Sequence, residues 1–137
     1  MIGVMSGTSL DGIDIALIKI NGAKISLIDF YHKNYTSQIK EKILKLHFPE
    51  KNELEKSYLL SDELAALTGK AIKNLLKKNN LKTNEIKGVG YHGQTIRHQP
   101  NKGYSIQIGN ADLLAEITKL NVVSNFRNRD IAAKGQG

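Results

Sequence analysis

Eight consecutive residues, Gly7-Thr8-Ser9-Leu10-Asp11-Gly12-Ile13-Asp14, bring together small side chains, two hydroxyls and two carboxylates between apolar runs at 2–5 and 13–20. Glycine lets the backbone approach a ligand closely, and successive amide donors form a concavity for phosphate oxygens. Asp11 and Asp14 offer the oxygen ligands magnesium prefers, through water, since that hard ion keeps part of its hydration shell. Farther along, His92, Gln94 and Thr95 follow the run 86–91 and carry donors and acceptors suited to sugar hydroxyls. Arg127, Arg129 and Asp130 follow the run 121–126, and an arginine placed there suits a bidentate grip on a carboxylate. Each group also has a plain structural alternative: a hairpin with a polar tip, a histidine satisfying a buried backbone group, an Arg–Asp pair fixing a loop. Two other patterns fail on their own chemistry. Gly88 to Gly93 fits a dinucleotide-binding glycine spacing, but the β-branched, Pro-terminated stretch 94–100 follows where a helix must open. His92 and His98 lack an obvious third metal ligand.

The elements that must position these residues are legible from periodicity. Asp11-Gly12 supplies turn dihedrals for a first hairpin, and Asn21-Gly22 marks a second, giving three antiparallel strands in sequence. Ser37 caps a helix through about His47, stopped by Pro49. A longer helix runs from about Asn52 to Lys78, with Leu60, Leu64, Leu67, Ala71 and Leu75 on a buried stripe and Gly69 as a point where it loosens or splits. Strands are expected at 86–91, 104–108 and 121–126, with a short Asn110-capped helix through Lys119. The strand-helix-strand spacing implies a partly parallel sheet.

Composition narrows the class. The chain has 137 residues, a single domain's worth, with 20 basic and 13 acidic residues and a net charge of +7. All but three of the basic residues are lysines scattered along the chain, which reads as a solvated surface rather than a nucleic-acid footprint. No cysteine is present, so neither disulfides nor thiolate metal sites arise. No apolar run reaches membrane-span length and no signal peptide is visible, so a cytoplasmic protein without membrane contact is expected.

Three ordered blocks resemble one family. They are 7–14, then Gly90-Tyr91-His92-Gly93-Gln94-Thr95-Ile96-Arg97-His98, then Ile106-Gln107-Ile108-Gly109-Asn110 through Asn125-Phe126-Arg127 and Arg129-Asp130-Ile131-Ala132-Ala133. Together they resemble the anhydro-N-acetylmuramic acid kinases of the sugar kinase, Hsp70 and actin superfamily. The family usually has glycine where this chain has Lys134. The resemblance implies an α/β fold, an actin-like ATPase (ribonuclease H-like) lobe with a three-stranded antiparallel meander extended by parallel strands and helices packed on the sheet. It implies ATP and Mg2+ as cofactors, with Gly7 to Asp14 as the first phosphate loop and Asp11 and Asp14 toward the metal. His92, Gln94, Thr95, Arg127, Arg129 and Asp130 fall toward the sugar. The implied reaction opens 1,6-anhydro-N-acetylmuramic acid with water and phosphorylates it to N-acetylmuramic acid 6-phosphate, in peptidoglycan recycling. Residues 1–137 are then expected to be an amino-terminal lobe, truncated before the second lobe that carries the catalytic base and inactive alone; full-length members are expected as homodimers. Two alternatives from other classes stay open: a small basic nucleic-acid-binding module, and an interaction protein using the leucine-striped helix.

Overall fold

A computed structural model describes residues 1–137. The chain opens with a meander of β1 (Ile2–Ser6), β2 (Gly12–Asn21) and β3 (Lys24–Asn34), paired antiparallel in sequence. The second turn is as expected, with Gly22 at φ +59°. The first differs. Its left-handed residue is Leu10, at φ +57°, while Gly12 already lies in β2 with an ordinary φ. Gly12 is glycine for space, since a Cβ there would overlap the Lys33 carbonyl across the β2–β3 ladder.

Two helices follow, α1 (Ser37–Lys45) and α2 (Glu53–Lys78). The cap of α1 is Thr36 rather than Ser37, its hydroxyl accepting from the Ile39 N–H at 3.3 Å. α2 runs unbroken through Gly69. That glycine makes room for α3 (Ala111–Thr118), because a Cβ would sit 2.6 Å from Ile117 Cγ2. The expected stripe is core: Leu60, Leu64, Ala71 and Leu75 are buried and Leu67 packs against them. They meet Ile2 and Val4 of β1 and Ile13, Ile15 and Leu17 of β2. Each such aliphatic side chain contributes about 1.5–3 kcal/mol on burial.

β4 (Val89–Gln99) returns parallel to β1, and a sheet of order β3-β2-β1-β4-β5 results. This strand is longer than expected. It continues past His92 because Gly93, at φ +72°, forms a bulge: Val4 pairs with Tyr91 and Ser6 with Gln94, leaving His92 and Gly93 opposite Met5. Beyond the bulge β4 pairs antiparallel with β5 (Tyr104–Ile108), and before it parallel with β6 (Val122–Ser124). The last expected strand is cut short. Asn125, at φ +65°, ends β6 and starts α4 (Phe126–Ala132). α4 closes with a left-handed Lys134 at φ +68°, while the Gly135 N–H returns to the Asp130 carbonyl at 2.9 Å. No helix is long and apolar enough to cross a membrane.

Candidate functional site

The turn after β1 is open to solvent. Thr8, Ser9 and Asp11 are exposed, and the backbone N–H groups of Gly7, Thr8 and Ser9 donate to no group of the protein. Leu10 is the anchor, its side chain buried and its N–H donating to the Gly7 carbonyl at 3.3 Å. Three consecutive free donors beside two hydroxyls are the groups from which an anion-binding concavity is built. The reachable part is therefore Gly7, Thr8, Ser9 and Asp11. Gly12 and Ile13 are buried in β2, so of the expected loop residues these and Leu10 shape the turn rather than face a ligand.

Beneath the turn lies a polar cluster that the sequence reading did not anticipate. Ser6, Tyr35 and Gln94 are 5%, 6% and 1% exposed. The Ser6 hydroxyl stands 2.7 Å from Tyr35 Oη and 3.2 Å from the Gly12 carbonyl, and it bonds Gln94 Oε1. Gln94 Nε2 donates to the Gly7 carbonyl at 3.3 Å and the Thr95 carbonyl at 3.2 Å, and the Tyr35 N–H donates to the Asp11 carbonyl at 3.0 Å. Burial pushes the Tyr35 phenol up, so it stays a neutral hydroxyl. Both ends of the Gln94 amide, expected toward a sugar, are bonded inside the fold. Thr95 is also withdrawn, with Oγ1 accepting from Gln107 Nε2 at 3.2 Å.

Asp14 lies on β2 opposite His32, with 2.7 Å between Asp14 Oδ1 and His32 Nδ1. The other ring nitrogen faces Asn34 Oδ1 at 2.9 Å. Two acceptors around one imidazole favour the protonated ring, so Asp14 foremost and then Asn34 raise the His32 pKa above 6.5, with Asp11 adding a weaker pull. The donor set tests a magnesium site in two parts. Asp11 and the Thr8 and Ser9 hydroxyls are hard oxygen donors on an open turn and fit that ion, whereas Asp14 shares one oxygen with an imidazole. No cage of three or more His, Asp or Glu converges anywhere in the chain. An ion here would thus draw its remaining ligands from water and phosphate.

A second cluster forms around His92. Its Nδ1 donates to the Gly93 carbonyl at 2.8 Å, and its Nε2 accepts from Arg127 Nε at 2.8 Å, which fixes the tautomer. Arg127 Nη1 also donates to the Gly137 carbonyl at 3.1 Å, and Asp130 Oδ2 accepts from the Gly137 N–H at 2.8 Å. These residues sit on α4, not on a strand end, and Arg127 and Asp130 are not paired with each other. Arg129 is exposed and makes no side-chain bond. Beside them a groove of about 180 Å³ is lined by His92, Gln107, Gly109, Ser124 and Asn125, with Tyr91 and Ile108 as its apolar members. Gln107, Ser124 and Asn125 were not singled out from sequence; the only signal for them was their place at or just beyond the ends of β5 and β6.

A family model described as Anhydro-N-acetylmuramic acid kinase matches residues 1–137. Proteins of that name from Nitrosomonas europaea, Nitrosospira multiformis and Pseudomonas putida are 46%, 45% and 43% identical to this chain. The matches cover 99% of this chain and 38%, 38% and 37% of those proteins. The chain therefore spans less than two-fifths of the length of these curated relatives.

Proposed function

Because the chain belongs to the anhydro-N-acetylmuramic acid kinase family, whose actin-like ATPase fold its mixed sheet matches, we propose that it is the phosphate-holding lobe of such a kinase. The proposed reaction takes ATP, water and 1,6-anhydro-N-acetylmuramic acid. Water adds at C1, the C1–O6 bond breaks, O6 takes the γ-phosphoryl group, and ADP leaves with N-acetylmuramic acid 6-phosphate. The setting proposed is peptidoglycan recycling in the cytoplasm.

The observation that carries this reading is the open turn with three consecutive free amides, in a chain of this family. Gly7, Thr8 and Ser9 donate to phosphate oxygens, and amide donors aimed at fixed positions stabilise the charge that spreads over a transferring phosphoryl group. Magnesium, held through water by Asp11, supplies charge neutralisation when bound. On the other side His92, locked by Gly93 and Arg127, orients the sugar in the groove. Arg127 is bonded to His92, and its remaining guanidinium donors suit the lactyl carboxylate. Arg129 is the second arginine in reach of that role, and Asp130 holds the segment that Arg127 also grips. No carboxylate lines the groove. The base that takes the proton from water is therefore assigned to the part of the family fold that residues 1–137 do not span.

Two measurements on the 137-residue chain test this. Saturation-transfer NMR should show contact with the anhydro sugar and none with glucose, and a blank spectrum at millimolar sugar refutes the pocket. Phosphorus NMR with ATP, magnesium and sugar should show no phosphosugar, and turnover by this chain alone overturns the assignment of the base.

A further inference from the structure

We propose that Tyr35, acting with Ser6 and Gln94, is a positioning residue for the phosphate-binding turn. The inference rests on reading residues 7–11 as a phosphate loop, and it assigns the buried cluster beneath them. Three carbonyls of the turn point inward, and each meets one member of the cluster. Gly7 O accepts from Gln94 Nε2, Asp11 O from the Tyr35 N–H, and Gly12 O lies within reach of the Ser6 hydroxyl. In a trans peptide the N–H points opposite to the C=O. Turning the Gly7 carbonyl down toward Gln94 therefore turns the Thr8 N–H up toward solvent. The free Thr8 donor is thus aimed by a bond made underneath the turn.

Tyr35 is the keystone because it reaches the turn twice. Its backbone holds Asp11 directly, and its hydroxyl donates to Ser6, leaving the Ser6 proton for Gln94 Oε1 or the Gly12 carbonyl. Gln94 Oε1, 3.5 Å from Tyr35 Oη, is the alternative acceptor for that one phenol proton. The cluster leaves little room for solvent: the void that it shares with Thr68 and Tyr91 measures only about 10 Å³. Water is thus a poor substitute for a deleted hydroxyl. Buried networks of this kind fix one geometry only when each member is satisfied.

The test is amide NMR of the full chain, titrated separately with inorganic tripolyphosphate and with ATP plus magnesium. Wild type should show saturable shifts at Gly7, Thr8 and Ser9. Tyr35→Phe, which removes one oxygen, should displace those resonances before any ligand is added and weaken both ligands about threefold to tenfold. Gln94→Leu should weaken them by tenfold or more. Thr118→Val removes another buried hydroxyl, bonded to the Leu114 carbonyl on α3 away from the cluster, and should leave both affinities unchanged. Wild-type affinity in Tyr35→Phe, or an equal loss in Thr118→Val, overturns the positioning role while leaving the loop assignment intact. Wild-type amides that ignore both ligands overturn the phosphate loop itself, and this inference with it. Tyr35→Phe keeps the shape of the ring, so the outcome does not hang on whether Gln94→Leu folds.

Discussion

Replacing Gly12 by alanine tests the foundation of the turn most directly. A Cβ at residue 12 would overlap the Lys33 carbonyl oxygen and stand 2.8 Å from Lys33 C and 2.9 Å from Asn34 Cα. All three are backbone atoms of the neighbouring strand, so no rotamer change relieves them. Forcing a methyl into a packed site costs about 1–3 kcal/mol, and here β3 itself must move. Alanine also lowers the entropy of the unfolded chain, which returns about 0.4–1 kcal/mol. The net expectation is a loss of about 2 kcal/mol. With an unfolding entropy of about 2.1 cal/mol/K per residue, that lowers the melting temperature by roughly 7 °C. Gly7→Ala is the control. Its Cβ would find Ser9 Oγ at 3.6 Å and Ser9 N at 4.0 Å, both ordinary contacts, so stability should change by less than about 0.5 kcal/mol. Thermal and urea unfolding followed by circular dichroism measure both. If the two variants melt together, Gly12 is not pressed against β3 and the described base of the turn is wrong.

Further outcomes follow from the same contacts. Gly69→Ala gains about 1 kcal/mol of helix propensity but meets Ile117, for a net loss of about 1 kcal/mol; after Ile117→Ala the same change should stabilise, and no sign reversal in urea unfolding would refute the α2–α3 packing. Proton NMR should place the His32 midpoint above 6.5, and Asp14→Asn should bring it down. The raised value means that this pair adds stability at pH below 6.5 and loses it as pH climbs through the folded-state midpoint; a midpoint at or below 6.5 rejects the pairing. Lys134→Gly, at φ +68°, should stabilise α4 by about 0.5 kcal/mol, and a lower melting temperature would contradict the left-handed cap. Ile15→Ala should cost about 2–5 kcal/mol and Leu27→Ala under about 0.5, because Ile15 is 0% and Leu27 64% exposed; equal costs would mean the sheet buries the other face.

What the sequence disclosed and what it hid divide along physical lines. Asn-Gly at 21–22 and the leucine stripe of α2 are local signals, and both carried through. Gly69 read as a helix weakness because its reason, Ile117, lies 48 positions away on another helix. The strand expected at 86–91 instead runs on to Gln99, because Gly93 makes a bulge and the pairing resumes beyond it. That bulge also explains where Gln94 points. Alternation along a strand decides which face a residue takes, and one inserted residue resets it. An amide with the right chemistry for a sugar was thereby brought under the turn that follows β1. At Asn125 the signal was present but slight, since asparagine is among the few side chains that enter the left-handed region readily. It separates β6 from α4 and so moves Arg127, Arg129 and Asp130 onto a helix.

A kinase must bring a phosphoryl donor and an acceptor hydroxyl within bonding distance, and the topology bears on how this chain contributes. β1 and β4 are parallel neighbours, so the turn after β1 and the bulge in β4 emerge at the same edge of the sheet. Ligands of open α/β sheets gather beyond that edge. Within β4 the bulge then splits two roles across a single glycine. His92 goes to the groove with Arg127, and Gln94 goes beneath the turn with Ser6 and Tyr35. The proposed phosphate side and the proposed sugar side are joined by one stretch of paired strand rather than by a loop. On this geometry the spacing between them is set by the β1–β4 ladder, and substitutions that disturb that ladder should affect both ligands together, whereas changes at Arg127 or Thr8 should affect one alone.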